Sequence, residues 1–278
     1  MSEVLLENVD ESYLSLKDWQ DQHGVIAGIT TRCGGVSKEP YHHLNVGFHV
    51  GDNKEDVLTN RKIVANKLAI PLERWVVAEQ PHRTEIYRVD ENDAGKGAAD
   101  IDTVIKGMDG LYTNIPGVLL VSMHADCVPL YFLSKKNKVV GIAHAGWKGT
   151  VGNIGKKMID RWQEEGVALD EIQIAIGPSI GQCCYEVDDF VIDQVKKLKL
   201  ENSVSFKKTN GKFMLNLKLL NKLLLMRAGI SEHAISISEQ CTSCSTSVYF
   251  SHRKESGKTG RMMAYIGISN NGMNKKYG

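Results

Sequence analysis

Between residues 118 and 150 the chain places His124, Asp126, Cys127 and His144 at the ends of two short apolar runs. A thiol, a carboxylate and two imidazoles are the groups that ligate a metal or build an activated nucleophile. His82 lies farther back, behind Gln80 and Pro81. His82, Cys127 and His144 together make a three-ligand set. Catalytic zinc sites keep three protein ligands and one open position, whereas structural sites close with four. Separations of 45 and 17 positions match no finger or ribbon, so only a folded sheet can bring the three together. His124 competes for the place of Cys127, three residues away across a turn. Cys127 is preferred because its thiolate is the stronger ligand and Asp126 stands beside it as an acid–base neighbour. The residues by themselves leave three readings open: a metal site, a Cys127–His144 nucleophile pair, and buried structural groups.

These side chains need rigid carriers. Residues 118–123 and 139–143 are apolar, rich in β-branched types and too short for helices, so they read as buried strands. Residues 75–78 form another strand that delivers Gln80-Pro81-His82 at its end, where open α/β sheets place function. Further strands are expected at 25–30, 172–176, 213–217, 234–238 and 261–268, with helices at 54–69, 150–165, 188–198 and 216–227. The helix at 54–69 puts Val57, Val64 and Leu68 on one face, with Asn53 and Asp56 at its start. Arg61 falls close to that face, as a surface snorkel or an anion clamp. The 31–37 loop carries Gly34 and Gly35, which permit close backbone approach and could wrap a ligand. Residues 91–99 read as a mobile loop, and Asp109-Gly110 as a turn. With no repeat or linker, one mixed α/β domain over 1–278 is expected, with 1–20 as an extension and 270–278 as a flexible tail.

The 34 basic and 33 acidic residues leave a net charge of +1, so no field draws nucleic acid or an anionic membrane. No apolar run approaches the ~20 residues of a membrane span, and a cytoplasmic location is expected. The six cysteines show no disulfide spacing. Cys241 and Cys244 form a CxxC without a second such pair, and read as two half-buried thiols near a strand. Cys183 and Cys184 read as a packed turn or as the lining of a pocket.

The order Gln80-Pro81-His82, His124-Ala125-Asp126-Cys127-Val128-Pro129-Leu130, Ala143-His144-Ala145-Gly146-Trp147-Lys148-Gly149 and Gly177-Pro178-Ser179-Ile180 closely resembles the YlmD/YfiH family. That family was once labelled laccase-like polyphenol oxidase and is now described as purine nucleoside phosphorylases. The resemblance implies a helix-sheet-sheet-helix α/β domain with zinc held by His82, Cys127 and His144. It also implies phosphorolysis of adenosine, inosine and S-methyl-5'-thioadenosine, with deamination of adenosine at the same site. Pro81 and Lys148 depart from the aliphatic residue and the arginine frequent at those positions. For the chemistry, Asp126 is the expected proton carrier. Arg61, then Lys148 and Arg261, are the expected phosphate clamps, and Asn45 is a hydrogen-bond donor to ribose or phosphate. Three rivals stand beside this. Copper would suit the same ligands, but the HxH clusters of a trinuclear centre are missing. A Cys127–His144 hydrolase acting on peptidoglycan precursors, and a zinc-stabilised binding protein whose site is closed by a fourth ligand, are the others.

Overall fold

The computed structural model describes residues 6–270. Its strands are β1 (Leu6–Asp10), β2 (Tyr13–Leu16), β3 (Val25–Thr30), β4 (Trp75–Val77), β5 (Ile86–Arg88), β6 (Gly110–Thr113), β7 (Leu119–His124), β8 (Val128–Ser134), β9 (Val139–Ala145), β10 (Ile172–Ile176), β11 (Glu186–Val187), β12 (Ser205–Lys207), β13 (Phe213–Leu215), β14 (Ile235–Ile237) and β15 (Met262–Ile268). The helices are α1 (Lys17–His23), α2 (Lys54–Leu68), α3 (Trp147–Val151), α4 (Ile154–Glu164), α5 (Asp189–Lys197), α6 (Glu201–Val204) and α7 (Leu217–Arg227). One six-stranded sheet runs β1-β2-β3-β15-β7-β4 and the other β14-β10-β8-β9-β6-β5; β11-β13-β12 form a small third sheet. In each large sheet antiparallel pairs dominate, with parallel pairs at β4/β7, β5/β6 and β10/β14.

Strand alternation sorts the core into layers. Leu120 of β7, Tyr131 and Leu133 of β8 and Val140 and Ile142 of β9 meet in one cluster between the two large sheets. The opposite residues of β7, Leu119, Val121 and Met123, pack with Val64 and Ala65 of α2. Leu130 and Phe132 of β8 pack instead against Met158 and Trp162 of α4 and Leu220 and Leu224 of α7. The result is the expected helix-sheet-sheet-helix stack. By the same alternation His144 continues the inter-sheet face of Val140 and Ile142, at the end where the layers open.

Local chemistry sets most boundaries. Asn53 caps α2 through the Asp56 N–H and Asn216 caps α7 through the Leu219 N–H. The single helix expected over 150–165 is instead α3 and α4, broken at Gly152 and at Asn153, whose φ is 61°. A Cβ on Gly152 would lie 2.6 Å from the Thr84 methyl, so the chain passes Thr84 too closely for an ordinary side chain. Strand β8 escapes the sequence pattern because Pro129 interrupts it. Pro129 is tolerated near the strand start, where its carbonyl accepts the Gly177 N–H at 3.0 Å.

Residues 6–20, expected as part of an extension, form β1, β2 and most of α1, and β2 pairs with β3. Beyond Asn270 the expected tail lies outside the described residues. The 91–99 segment is not loose: Arg61 donates to the carbonyls of Gly97 and Ala98, and Asp93 is buried. Among the described residues no helix is long and apolar enough to cross a membrane.

Candidate metal centre

The three separated residues converge. One ligand atom each from His82, Cys127 and His144 lies within 4.8 Å of the others, and the two imidazole centroids are 4.7 Å apart. His144 is buried, Cys127 half-buried and His82 exposed, so the cluster is covered on one side and open on the other. His124 stays out of it: both its ring nitrogens are engaged, Nδ1 with the Cys127 carbonyl at 3.1 Å and Nε2 with Ser122 Oγ at 2.9 Å.

Each ligand is placed by a specific local device. The Gln80 side chain stands in for a strand, its amide donating to the Met123 carbonyl at 2.9 Å and accepting the Met123 N–H at 2.7 Å. This lashes the Gln80-Pro81-His82 turn to β7, with Gln80 and His82 both at positive φ. Cys127 sits in the turn from β7 to β8, after Asp126 at φ 83°. Gly146 leaves room for the cluster, since a Cβ there would lie 3.0 Å from Cys127 Sγ and 3.2 Å from His82 Nδ1.

Asp109, read from sequence only as part of a turn, holds the centre together. Its carboxylate accepts the His144 Nδ1–H at 3.0 Å and the N–H groups of His82 and Arg83 at 3.1 and 2.6 Å. Its carbonyl accepts the His144 N–H at 2.8 Å. The carboxylate thus fixes the tautomer that turns Nε2 of His144 toward the cluster. An Asp-Gly pair carries no sequence signal for this role.

Burial pushes the Cys127 thiol up, but His144 and His82 more than reverse that and hold it down at about 6. Burial would push His144 down; the Cys127 sulfur and the Asp109 carboxylate hold it up at about 9. Without a metal the pair is therefore a thiolate beside an imidazolium. Three donors of sulfur and imidazole type, one already a thiolate and one oriented by a carboxylate, suit a thiophilic divalent ion with an open position.

The cluster forms one wall of a cavity of about 440 Å³, within the range of small-molecule sites. Trp147, Tyr185, Met123 and Ile180 give it apolar surface, and Arg261, Arg253, His252 and His49 line it with basic groups. His49 is kept from protonating by desolvation and by the neighbouring Arg261 and Arg61.

The other expected site residues fall differently. Arg61 is 2% exposed, with Nε and Nη1 given to the carbonyls of Val46, Gly97 and Ala98 and its guanidinium 4.2 Å from the Phe48 ring. It lines an adjoining pocket, not the cavity of the cluster. Asn45 is buried and tied to Asp52, Gly47 and the Arg261 N–H. Lys148 borders a groove that His82, Cys127, Trp147 and Tyr185 also line, continuous with the cavity through those residues. Asp126 reaches the cavity wall, but its carboxylate already accepts from Thr242 Oγ1, Ser251 Oγ and the Arg253 N–H at 2.6, 3.0 and 2.7 Å. Arg261 alone of the expected clamps lines the cavity. Arg253 is missed by the sequence, because it belongs to no motif and comes to the site through Asp126. The Gly34-Gly35 loop packs on α2 through Asn60, whose side-chain oxygen accepts the Val36 N–H.

Layered sheets with a His-Cys-His cluster at the wall of a cavity define an α/β protein whose donor set is of the kind that can hold a metal ion. The chain belongs to the family described as multi-copper polyphenol oxidoreductase laccase, whose model matches residues 26–269. It is 49% identical over 247 residues to the purine nucleoside phosphorylase YlmD of Geobacillus stearothermophilus, covering 88% of this chain and 90% of that protein. With the purine nucleoside phosphorylase YlmD of Bacillus subtilis the identity is 44% over 263 residues, covering 92% and 95%. The crystal structure of Bacillus licheniformis hypothetical protein YfiH superposes with a TM-score of 0.92 at 44% identity, covering 95% of this chain and 99% of that one. These are the YlmD and YfiH names to which the motifs pointed.

Proposed function

We propose that this protein is a zinc-dependent purine nucleoside phosphorylase acting on adenosine, inosine and S-methyl-5'-thioadenosine, and that it deaminates adenosine in the same cavity. The observation that carries the reading is the convergence of His82, Cys127 and His144 on a cavity whose other walls offer Arg261, Arg253 and aromatic surface. The phosphorylase names of the relatives support it. His82, Cys127 and His144 would hold the zinc, which would supply Lewis acidity there.

The chain's own groups do the rest. In phosphorolysis a phosphate oxygen bonds to the anomeric carbon of ribose as the bond to the purine nitrogen breaks, and the electron pair leaves with the base. An anion must therefore be held against the sugar. Arg261 is the clamp we assign, with Arg253 as a second, because both line the cavity while Arg61 lines an adjoining pocket. Trp147 and Tyr185 offer flat faces to the base. Asp126 positions the 251–253 segment, and with it Arg253, and is not assigned a proton transfer. His49, held neutral, donates or accepts a hydrogen bond and contributes no charge.

Copper oxidation of phenols is less well matched. The donor set brings together one thiol and two imidazoles, and His124, the next imidazole, has both nitrogens occupied. A hydrolase reading has one specific observation in its favour: Cys127, His144 and Asp109 are arranged as nucleophile, base and orienting carboxylate.

Incubation of the metal-loaded protein with inosine and phosphate separates these. Hypoxanthine and ribose 1-phosphate are expected, with none formed when phosphate is left out. Base released at the same rate without phosphate, together with free ribose, would overturn the phosphorylase. Alkylation of Cys127 that zinc does not slow would favour the hydrolase.

A further inference from the structure

A second group of metal-type donors lies outside this centre. Cys183, Cys184, Cys241 and Cys244 each bring a sulfur within 4.8 Å of the others. Cys244 Sγ is 3.6 Å from Cys183 Sγ and 3.4 Å from Cys184 Sγ. The sequence reading of the CxxC as two half-buried thiols without partners is thereby corrected. Its partner is the adjacent Cys183 and Cys184, about 60 residues earlier, brought alongside by the fold.

The surroundings are built around these sulfurs. The loop after β10 and the loop after β14 run side by side, joined by a Ser179–Cys241 bridge and by the Thr242 N–H donating to the Ser179 carbonyl at 3.1 Å. Each loop turns back on itself at its cysteine pair, Cys184 N–H to Gly181 carbonyl and Cys244 N–H to Cys241 carbonyl. The Gly181 N–H donates to Cys241 Sγ at 3.1 Å. A Cβ on Gly181 would stand 3.1 Å from Cys183 Sγ and 3.1 Å from the Cys241 Cβ, so the absence of a side chain keeps the sulfurs together. Lys218, 7% exposed, spends its ammonium on the carbonyls of Ser238 and Gln240 at 2.6 and 2.9 Å, placing a buried cation beside the group.

Packing does not explain the cluster, since Cys183 and Cys244 are exposed. Disulfides do not explain it either, because a bridge needs sulfurs about 2.05 Å apart. A tetrahedral ion with metal–sulfur bonds of about 2.3 Å sets its four sulfurs roughly 3.8 Å apart, close to the spacings seen. Four thiolates around a dication leave two negative charges, which Lys218 and the Gly181 N–H offset in part.

We propose that Cys183, Cys184, Cys241 and Cys244 bind a second metal ion, a closed all-thiolate zinc that is structural. Its place in the fold gives it a task. The two loops it clasps carry Ile180 and Thr242, which bond Asp126 through the Ile180 N–H and Thr242 Oγ1, and Tyr185, which lines the cavity. Such an ion would tie down the part of the cavity wall that Ile180 and Tyr185 form. The thiols lose their protons to solvent as the ion binds, so occupancy falls with falling pH.

The test is metal analysis of the full chain, purified without chelator. His82→Ala/Cys127→Ala, which dismantles the first centre, is expected to keep about one zinc per chain, with its four remaining clustered thiols slow to alkylate until a strong chelator is added. Cobalt loaded into this variant should give the intense visible bands of a tetrahedral thiolate site. A variant without metal, with these four thiols alkylating at the rate of free cysteine, would overturn the proposal. So would an intact mass showing disulfides among the four. Cys241→Ser/Cys244→Ser is expected to lose that ion; a folded variant with unchanged metal content would also overturn it. Because metal is read directly, absence of nucleoside phosphorolysis would leave this result untouched.

Discussion

Asp109→Asn tests the centre most sharply, because one carboxylate orients His144 and holds the backbone of His82 and Arg83. All the partners of that carboxylate are donors. An asparagine can turn its oxygen to His144 or to the Arg83 N–H, but its NH2 then faces the other donor. The buried mismatch should cost about 1–3 kcal/mol in stability. Loss of the carboxylate behind a ligating histidine typically weakens metal binding about 10- to 100-fold, or roughly 1.4–2.7 kcal/mol.

A second effect opposes this one. Asp109 helps hold His144 up at about 9, so its removal lowers the proton competition that zinc meets near neutrality. The dication feels the carboxylate more strongly than a proton does, so the net change remains a loss. The deficit should widen as pH rises toward 9, where the parent's His144 has given up its proton.

Competition with a chromophoric chelator, run on stripped protein across that pH range, measures the affinity. In the stripped parent the raised His144 removes stability as pH rises from about 6.5 to about 9 while the lowered Cys127 adds it over nearly the same range, so the profile should be almost flat there. A group whose pKa is raised in the folded state stabilises below its unfolded value and ceases to do so above its folded one. Asp109→Asn should weaken the His144 contribution and leave stability rising with pH across that range. Parent-like zinc affinity near pH 9, or an unchanged stability profile, would refute the role given to Asp109.

In stripped protein Cys127 should alkylate with a half-maximal rate near pH 6, its thiolate disappearing as pH falls through that value, instead of near the ordinary thiol value of about 8.5. A profile centred on the ordinary value would show that His144 and His82 do not hold the thiolate. Gly146→Ala, with its new methyl about 3 Å from Cys127 Sγ and His82 Nδ1, should displace ligands by more than the roughly 0.2 Å a metal bond tolerates. Zinc binding should weaken while stripped protein melts as the parent does, and unchanged affinity would mean the ligands yield freely. Arg261→Ala should raise the KM for phosphate by about 10- to 100-fold, from loss of roughly 1.5–3 kcal/mol of charged hydrogen bonding. Arg261→Lys should fall between, keeping charge without the fork; an unchanged phosphate KM in both would return the clamp to other residues.

Local signals were strong wherever one side chain decides one boundary. Asn53 and Asn216 cap α2 and α7 at the residues their types indicate, and residues 172–176 form β10 as their apolar run suggests. The signals failed where a distant contact overrides propensity. Gly152 breaks a helical pattern because Thr84 lies against it, and Pro129 sits inside a strand because the Gly177 N–H needs only its carbonyl. The position of Arg61 on α2 left a surface snorkel or an anion clamp open, and nothing local announces that the fold buries it and gives its Nε and Nη1 to the carbonyls of Val46, Gly97 and Ala98.

Sequence alone determined which residue types were on hand and how they were grouped along the chain: the Gln80-Pro81-His82 turn, Cys127 beside Asp126, His144 at a strand end, and two separate cysteine pairs. Tertiary structure decided which of them meet. His124 and Cys127 differ by three positions, but the turn from β7 to β8 sends the imidazole toward Ser122 and leaves the sulfur at the cavity. Asp109 and the pairing of Cys183 and Cys184 with Cys241 and Cys244 became visible only once strands and loops remote in sequence lay side by side. A ligand's type is a property of one residue. A site is a set of distances and shared hydrogen bonds, and those arise only when the layers pack.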